Sequence, residues 1–99
     1  MEDLYKFVDR IIEAKGVETF DDDQLDELKA DLYARVEEKM HAVALEHLPP
    51  ESVQGYEKLV DTGADSEEVE AYCTKQIKEY PSLRAAALFE FENEYLEEV

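Results

Sequence analysis

The chain has 99 residues, and its 27 Asp and Glu side chains against 10 Lys and Arg give a formal net charge of −17. A chain of this length has the size of one domain, so we expect a single folded unit over residues 1–99. Hydrophobic residues make up 44% of the sequence, which is too many for a disordered acidic tail. Nucleic acids and anionic membranes are bound through Lys and Arg, so the charge argues against direct binding to either.

Glycines and prolines divide the sequence into helix-length segments. The first predicted helix runs from Glu2 to Ala14. The second is the longest, over about residues 22–47, and it ends before Pro49 and Pro50 because a helix rarely continues into a proline. Apolar residues recur every three or four positions along this segment. We therefore expect one of its faces to point into a core along its whole length.

Three shorter helices are predicted after the double proline. The third starts at Pro50 and stops near a glycine. Asp65 caps the fourth, which continues to about Glu79, and Ser82 begins the fifth. No stretch alternates apolar and polar residues over the length of a strand. The predicted fold is thus an all-α, compact bundle of four to five helices, with the second as a long central helix. The first, fourth and fifth pack on it, and the third is a short connector.

Targeting and membrane segments are not predicted in this sequence. The N-terminal residues show no basic stretch followed by an apolar core, and no apolar run approaches the roughly 18 residues that span a bilayer. Cys73 is the single cysteine, so an internal disulfide cannot form. We therefore expect a cytoplasmic protein in which Cys73 is a small core residue.

Glu38 and His41 form the most specific metal-like pattern in the sequence. A glutamate and a histidine three residues apart on one helix face can reach a single ion, as in di-iron bundles. Such a site needs a second pair of this kind and further inward glutamates, which the other histidine, His47, is not placed to supply. A metal-binding helical bundle is kept as an alternative, and no metal or other cofactor is expected.

Two acidic clusters, at Asp21–Asp23 and over residues 61–68, could suggest calcium loops. An EF-hand loop needs Gly at its sixth position and Glu at its twelfth. Counting from Asp21, the sixth residue is Asp26, and counting from Asp61, the twelfth is Tyr72. Helix caps explain both clusters better than calcium binding does.

Catalytic motifs are not found in this sequence. It shows no Gly-rich phosphate loop, no nucleophile elbow and no Cys/His pair at metal spacing, so we do not expect an enzyme. It does contain six Tyr and four Phe, and aromatic rings are effective interface anchors. Most should lie in the core. Candidate contacts with a partner or a second subunit are the aromatics toward the edges of their apolar faces: Tyr5, Tyr33, Tyr80 and Phe89.

Several segments carry a resemblance to a known family. They are, in chain order, LPPE at 48–51, YEKLVD at 56–61, LFEF at 88–91 and YL at 95–96. Their order resembles a bacterial family of small acidic helical proteins of unknown function, in which an opening helix of the character of LYKFVD at 4–9 precedes a long helix. The resemblance implies the same helical fold, and it brings no activity, cofactor or site residue with it.

Three functional hypotheses follow from charge and aromatic content. The leading one is a non-catalytic protein–protein interaction module, which binds a basic protein or a second copy of itself through apolar residues rimmed by acid. The first alternative is an acidic mimic of nucleic acid that inhibits a basic nucleic-acid-binding protein. The second alternative is the metal-binding bundle built around Glu38 and His41.

Overall fold

The computed structural model describes residues 3–16 and 20–97. Helices account for most of these residues, and no strand occurs among them, so the predicted all-α bundle is confirmed. The helices are α1 (Leu4–Lys15), α2 (Asp22–His47), α3 (Pro50–Asp61), α4 (Ser66–Gln76) and α5 (Tyr80–Glu97). The long helix predicted over residues 22–47 has the predicted bounds.

Aspartate side chains cap the N-termini of α2 and α4. The backbone N–H of Gln24 donates to the Asp21 carboxylate at 2.8 Å, and the backbone N–H of Asp21 donates back to Gln24 Oε1 at 3.1 Å. At α4, the backbone N–H of Glu68 donates to the Asp65 carboxylate at 2.9 Å. Each cap of this kind contributes about 1 kcal/mol to helix stability. Both acidic clusters thus contain a residue that starts a helix.

The end of α4 differs from the prediction. The helix stops at Gln76 instead of Glu79, because Ile77 is extended (φ −111°, ψ 121°) and its side chain is buried. Glu79 has a positive φ of 61°, a left-handed conformation that residues other than glycine adopt at a cost. The chain therefore makes a tight turn between Ile77 and Tyr80, and no glycine in this segment predicts that turn.

The start of α5 differs as well. The helix begins at Tyr80, and Pro81 lies in its first turn, where the missing N–H has no helical partner to lose. The predicted start at Ser82 is therefore two residues late. The turn before α5 also carries Tyr80 into the core, where 1% of its surface is exposed. The placement of Tyr80 at the edge of an apolar face is wrong for this reason.

The core lies where α1, α2 and α5 pack together. α3 and α4 form a hairpin, termed the α3–α4 hairpin below, and α4 also packs on α5. The prediction placed α4 directly on α2, but its close backbone packing is with α3 and α5. The α3 helix was expected to be a short connector, yet it has 12 residues, as many as α1. The buried core residues are Leu4, Phe7, Val8, Ile11, Ile12, Leu32, Val36, Met40, Ala44, Leu48, Tyr56, Cys73, Ile77, Tyr80, Ala87, Leu88, Phe91 and Tyr95.

The length of α2 sets the shape of the molecule. Its 26 residues extend for about 39 Å at the rise of an α-helix, and the whole structure measures 48 × 26 × 19 Å. Each helix of the described residues is too short or too polar to cross a bilayer. A slender bundle of this kind leaves α2 partly uncovered beside the α3–α4 hairpin.

Candidate functional site

A cleft of about 520 Å³ lies between α2 and the α3–α4 hairpin. It exists because α4 packs on α5 and leaves space next to α2, which the hairpin only partly fills. Its volume is in the range of protein ligand pockets, about 300–1,000 Å³. The residues that line it are Leu4, Ala34, Glu37, Glu38, Met40, His41, Ala44, Tyr56, Val60, Ala64, Ser66, Val69, Glu70, Cys73 and Tyr80.

The floor of the cleft is apolar. Met40 and Ala44 of α2 are buried, as are Cys73 of α4 and Tyr80 at the start of α5. Val60 of α3 lies on the opposite wall and is 42% exposed. An apolar side chain that entered the cleft would therefore leave water and contact these apolar side chains. Its burial would stabilise the complex by about 25 cal/mol for each Å² of apolar surface removed from water.

Carboxylates stand along the rim of this apolar floor. Glu37 and Glu38 are on the α2 side, and Glu70 is on the α4 side. The ion pairs made by the described residues do not include Glu37 or Glu38. Partial burial raises the pKa of Glu37 above its usual range, because desolvation disfavours the charged form. A cation at this rim would relieve that cost.

Glu70 differs from the α2 carboxylates because it is already engaged. It contacts the guanidinium of Arg84, with Arg84 Nη2 donating to Glu70 Oε1 at 3.2 Å and a second, shorter contact through Nε. Only 5% of the Arg84 side chain and 14% of the Glu70 side chain are exposed. The pair joins α4 to α5 at the α4 side of the cleft, so the rim carboxylates outside the ion pairs of the described residues are Glu37 and Glu38 on the α2 side.

Hydrogen bonds join the α3–α4 hairpin to α2 and hold its two helices together. His41 Nδ1 lies 2.7 Å from the Tyr56 hydroxyl, so this bond joins α2 to α3. The Tyr72 hydroxyl donates to the Ser52 carbonyl oxygen at 2.7 Å, and the Ser52 hydroxyl donates to Gln76 Oε1 at 2.7 Å. These last two bonds join α3 to α4. The cleft walls are therefore held in place by specific polar contacts.

Ionisable groups in the floor are held neutral at ordinary pH. Burial raises the pKa of the Cys73 thiol to about 11, and the negative charge of Glu70 adds to the effect. Burial likewise raises the pKa of the Tyr56 hydroxyl to about 12, and it raises the pKa of Tyr80 still further. With these raised pKa values, the three groups add no charge to the floor at neutral pH.

Glu38 and His41, the metal-like pair, both lie on the α2 wall of the cleft. His41 Nδ1 is engaged with Tyr56. Within residues 3–16 and 20–97, no group of three or more His, Cys, Asp or Glu side chains is arranged to hold a metal ion.

Comparisons with protein-family models, with curated proteins and with solved structures find no match. The resemblance to a bacterial family of small acidic helical proteins therefore stays a prediction.

The four aromatic residues predicted to contact a partner differ in position and exposure. Tyr5 and Tyr33 stack in parallel with ring centroids 4.2 Å apart, and Tyr5 is 62% exposed. Desolvation raises the pKa of the half-buried Tyr33. Phe89 is 65% exposed on α5, whereas Tyr80 lies in the floor of the cleft. The structure thus brings two of the four together and leaves Phe89 on another face.

Proposed function

We propose that this domain is a non-catalytic protein-interaction module, and that its cleft receives a basic segment of another protein that carries an apolar anchor residue. One observation carries the proposal: an apolar floor lies directly beside the rim carboxylates Glu37 and Glu38. Helices and extended segments with apolar anchors commonly bind in grooves of this kind. The rim favours Lys and Arg on either side of the anchor.

The two parts of the cleft would contribute differently to binding. Burial of one Leu, Phe or Met side chain is worth about 1.5–3 kcal/mol, and that contribution is insensitive to salt. The rim charges and the net charge of −17 attract a basic segment over long range, mainly accelerating association, and salt screens that attraction. The partner class is therefore a protein segment with both apolar and cationic side chains.

A defined peptide tests the proposal. The probe is a fluorescein-labelled amphipathic peptide built from Leu and Lys, and the control probe has Glu in place of each Lys. Ala34 lines the cleft, and Ala30 lies one helical turn earlier on α2, also exposed but outside the lining. We expect Ala34→Phe to weaken binding of the Lys peptide about tenfold or more, which corresponds to about 1.4 kcal/mol, and Ala30→Phe to leave it unchanged.

A second pair of variants separates the rim from the overall charge. Glu37→Gln with Glu38→Gln removes two negative charges at the cleft, and Asp26→Asn with Glu27→Gln removes two elsewhere on α2. The proposal requires the first pair to weaken binding more than the second. Equal losses from both pairs, together with no effect of Ala34→Phe, would overturn it. That outcome would favour the nucleic-acid mimic, whose binding depends on charge alone.

A further inference from the structure

The first ten residues of α5, 80–89, present an uncharged surface to solvent. The exposed residues of this stretch are Pro81, Ser82, Ala85, Ala86 and Phe89. Arg84, its one charged residue, is 4% exposed and contacts Glu70. Charged residues make up 37% of the whole sequence, so a helix face without any is unusual for this chain. A second negatively charged molecule could approach this face with less repulsion than elsewhere.

A groove of about 330 Å³ runs beside this face, between α1 and α5. Phe7, Ala85 and Leu88 line it, and Arg10 bonds Glu92 at 2.5 Å at its edge. Phe89 also lines it, and 65% of this residue is exposed. When two copies are related by a two-fold axis, the exposed ring of each copy can enter the apolar groove of the other. The ring and the groove together therefore form a self-complementary surface.

The order of charges along α5 supplies the second argument for a second copy. The helix has no acidic residue in its first turn and no basic residue in its last turn, although the helix dipole favours both. Its glutamates are at positions 90, 92, 94 and 97, toward the negative end. An antiparallel neighbour of the same sequence, aligned on the middle of the uncharged stretch, would place the positive N-terminal end of its own α5 beside Glu90. Glu90 and the N-terminal end of α5 are therefore complementary in an antiparallel pair.

We infer that this face is a self-association surface, on which a second copy of the chain packs its α5 antiparallel. The two-fold axis passes near Ala85 and Ala86, where small side chains let two helices approach closely. Phe89 of each copy enters the groove of the other, and Glu90 of each copy lies next to the start of the other's α5. This surface is separate from the cleft, so the inference stands independently of the proposed function.

Sedimentation equilibrium of the full chain tests the inference. The monomer mass is 11.5 kDa, and we expect a concentration-dependent rise to twice that value. Ala86→Glu should shift the dissociation constant upward by about tenfold or more, and Phe89→Ser should have the same direction of effect. The matched controls are Ala30→Glu on α2 and Tyr5→Ser on α1, at positions that are also exposed; both should dimerise as the original chain does.

Cross-linking tests the register directly. Cys73 is 1% exposed and should not cross-link in the folded protein, so an added cysteine is the reactive one. Under mild oxidation we expect Ala86→Cys to form a disulfide-linked dimer and Ala30→Cys to remain monomeric on a non-reducing gel. Far-UV circular dichroism confirms folding of each variant. A wild-type chain that stays monomeric up to millimolar concentration, or equal cross-linking of both variants, would overturn the inference.

Discussion

Gly55 shows how one residue decides the distance between two helices. A Cβ atom at this position would lie 2.3 Å from the Tyr72 hydroxyl and 3.0 Å from its ring carbon. That hydroxyl is not free to move away, because it donates to the Ser52 carbonyl oxygen. Glycine normally weakens a helix interior by about 1 kcal/mol relative to alanine. Here the smaller residue lets α3 and α4 pack closely.

The sign of the Gly55→Ala effect should depend on Tyr72. In the original chain we expect Gly55→Ala to lower the free energy of unfolding by about 1–2 kcal/mol through overpacking. In the Tyr72→Phe background the hydroxyl is gone, and the same change should cost far less or become stabilising through helix propensity. Urea unfolding of the four chains of this cycle measures the difference. Additive effects would show that the contact does not limit the packing.

At the scale of residues, the sequence was informative where helical spacing alone decides burial. Cys73 was predicted to be a core residue, and it is buried. Phe89 was placed at the edge of its apolar face, and it is exposed. The placement failed for Tyr80, because its direction depends on the positive φ of Glu79. The left-handed backbone conformation of Glu79 depends on the packing of the surrounding residues, and no sequence motif predicts it.

The pair Glu70–Arg84 joins two elements, α4 and α5, that are consecutive along the chain. Both side chains are largely buried. Breaking a buried pair by removing one partner commonly costs about 3–5 kcal/mol, because the remaining charge is left in a poorly solvated place. Replacing both partners by apolar residues of similar volume costs much less. The pair therefore makes the position of α4 on α5 sensitive to single substitutions.

Variants of this pair give a prediction with an internal control. We expect Glu70→Leu to lower the free energy of unfolding by about 3 kcal/mol, and the double variant Glu70→Leu with Arg84→Met to recover a large part of the loss. The control is Glu67→Leu, an exposed position on the same helix, which should stay within about 0.5 kcal/mol. Thermal or urea denaturation measures all three. A double variant less stable than Glu70→Leu would contradict this account.

At the scale of elements, helix starts were easier to predict than helix contacts. Asp65 marks the start of α4 because its side chain caps the helix, and Pro50 marks the start of α3 because its φ angle is fixed near the helical value. The partner of α4 was predicted as α2, although it packs with α3 and α5. Its apolar face identifies which residues are buried but not which helix covers them, because several arrangements bury the same face.

For the whole molecule, the charge of −17 is the dominant long-range term. Like charges spread over a small surface repel each other and oppose the compact state. Salt shortens the range of this repulsion, to a Debye length of about 3 Å at 1 M. Since the unfolded chain spreads the same charges further apart, screening should stabilise the folded form more than the unfolded one.

The melting temperature should therefore rise between about 20 mM and about 500 mM NaCl. Scanning calorimetry or circular dichroism at neutral pH measures it. As a control, a variant with four exposed carboxylates outside the first turns of helices changed to amides, Asp26, Glu27, Glu46 and Glu57, should start higher and respond less to salt. A flat or falling melting temperature in the original chain would count against self-repulsion as the main charge effect.

The cleft itself was not predictable from the sequence. Met40, Ala44 and Cys73 lie on the apolar faces of their helices, and the pattern alone assigns such residues to a filled core. The open space results from the way α4 leans on α5 instead of α2. Gaps between elements depend on tertiary packing, whereas helical spacing reports only which face of each element is apolar.

The burial of the single cysteine has a consequence for experiments on motion. Cys73 is 1% exposed and belongs to α4, so a thiol reagent reaches its sulfur only when α4 separates from the side chains packed around it. When reclosing is fast, the labelling rate relative to that of a free thiol equals the population of the opened form. Comparison of that population with the global unfolding equilibrium separates movement of the hairpin from loss of the whole fold. Thiol labelling of the native chain therefore measures how often the α3–α4 hairpin opens.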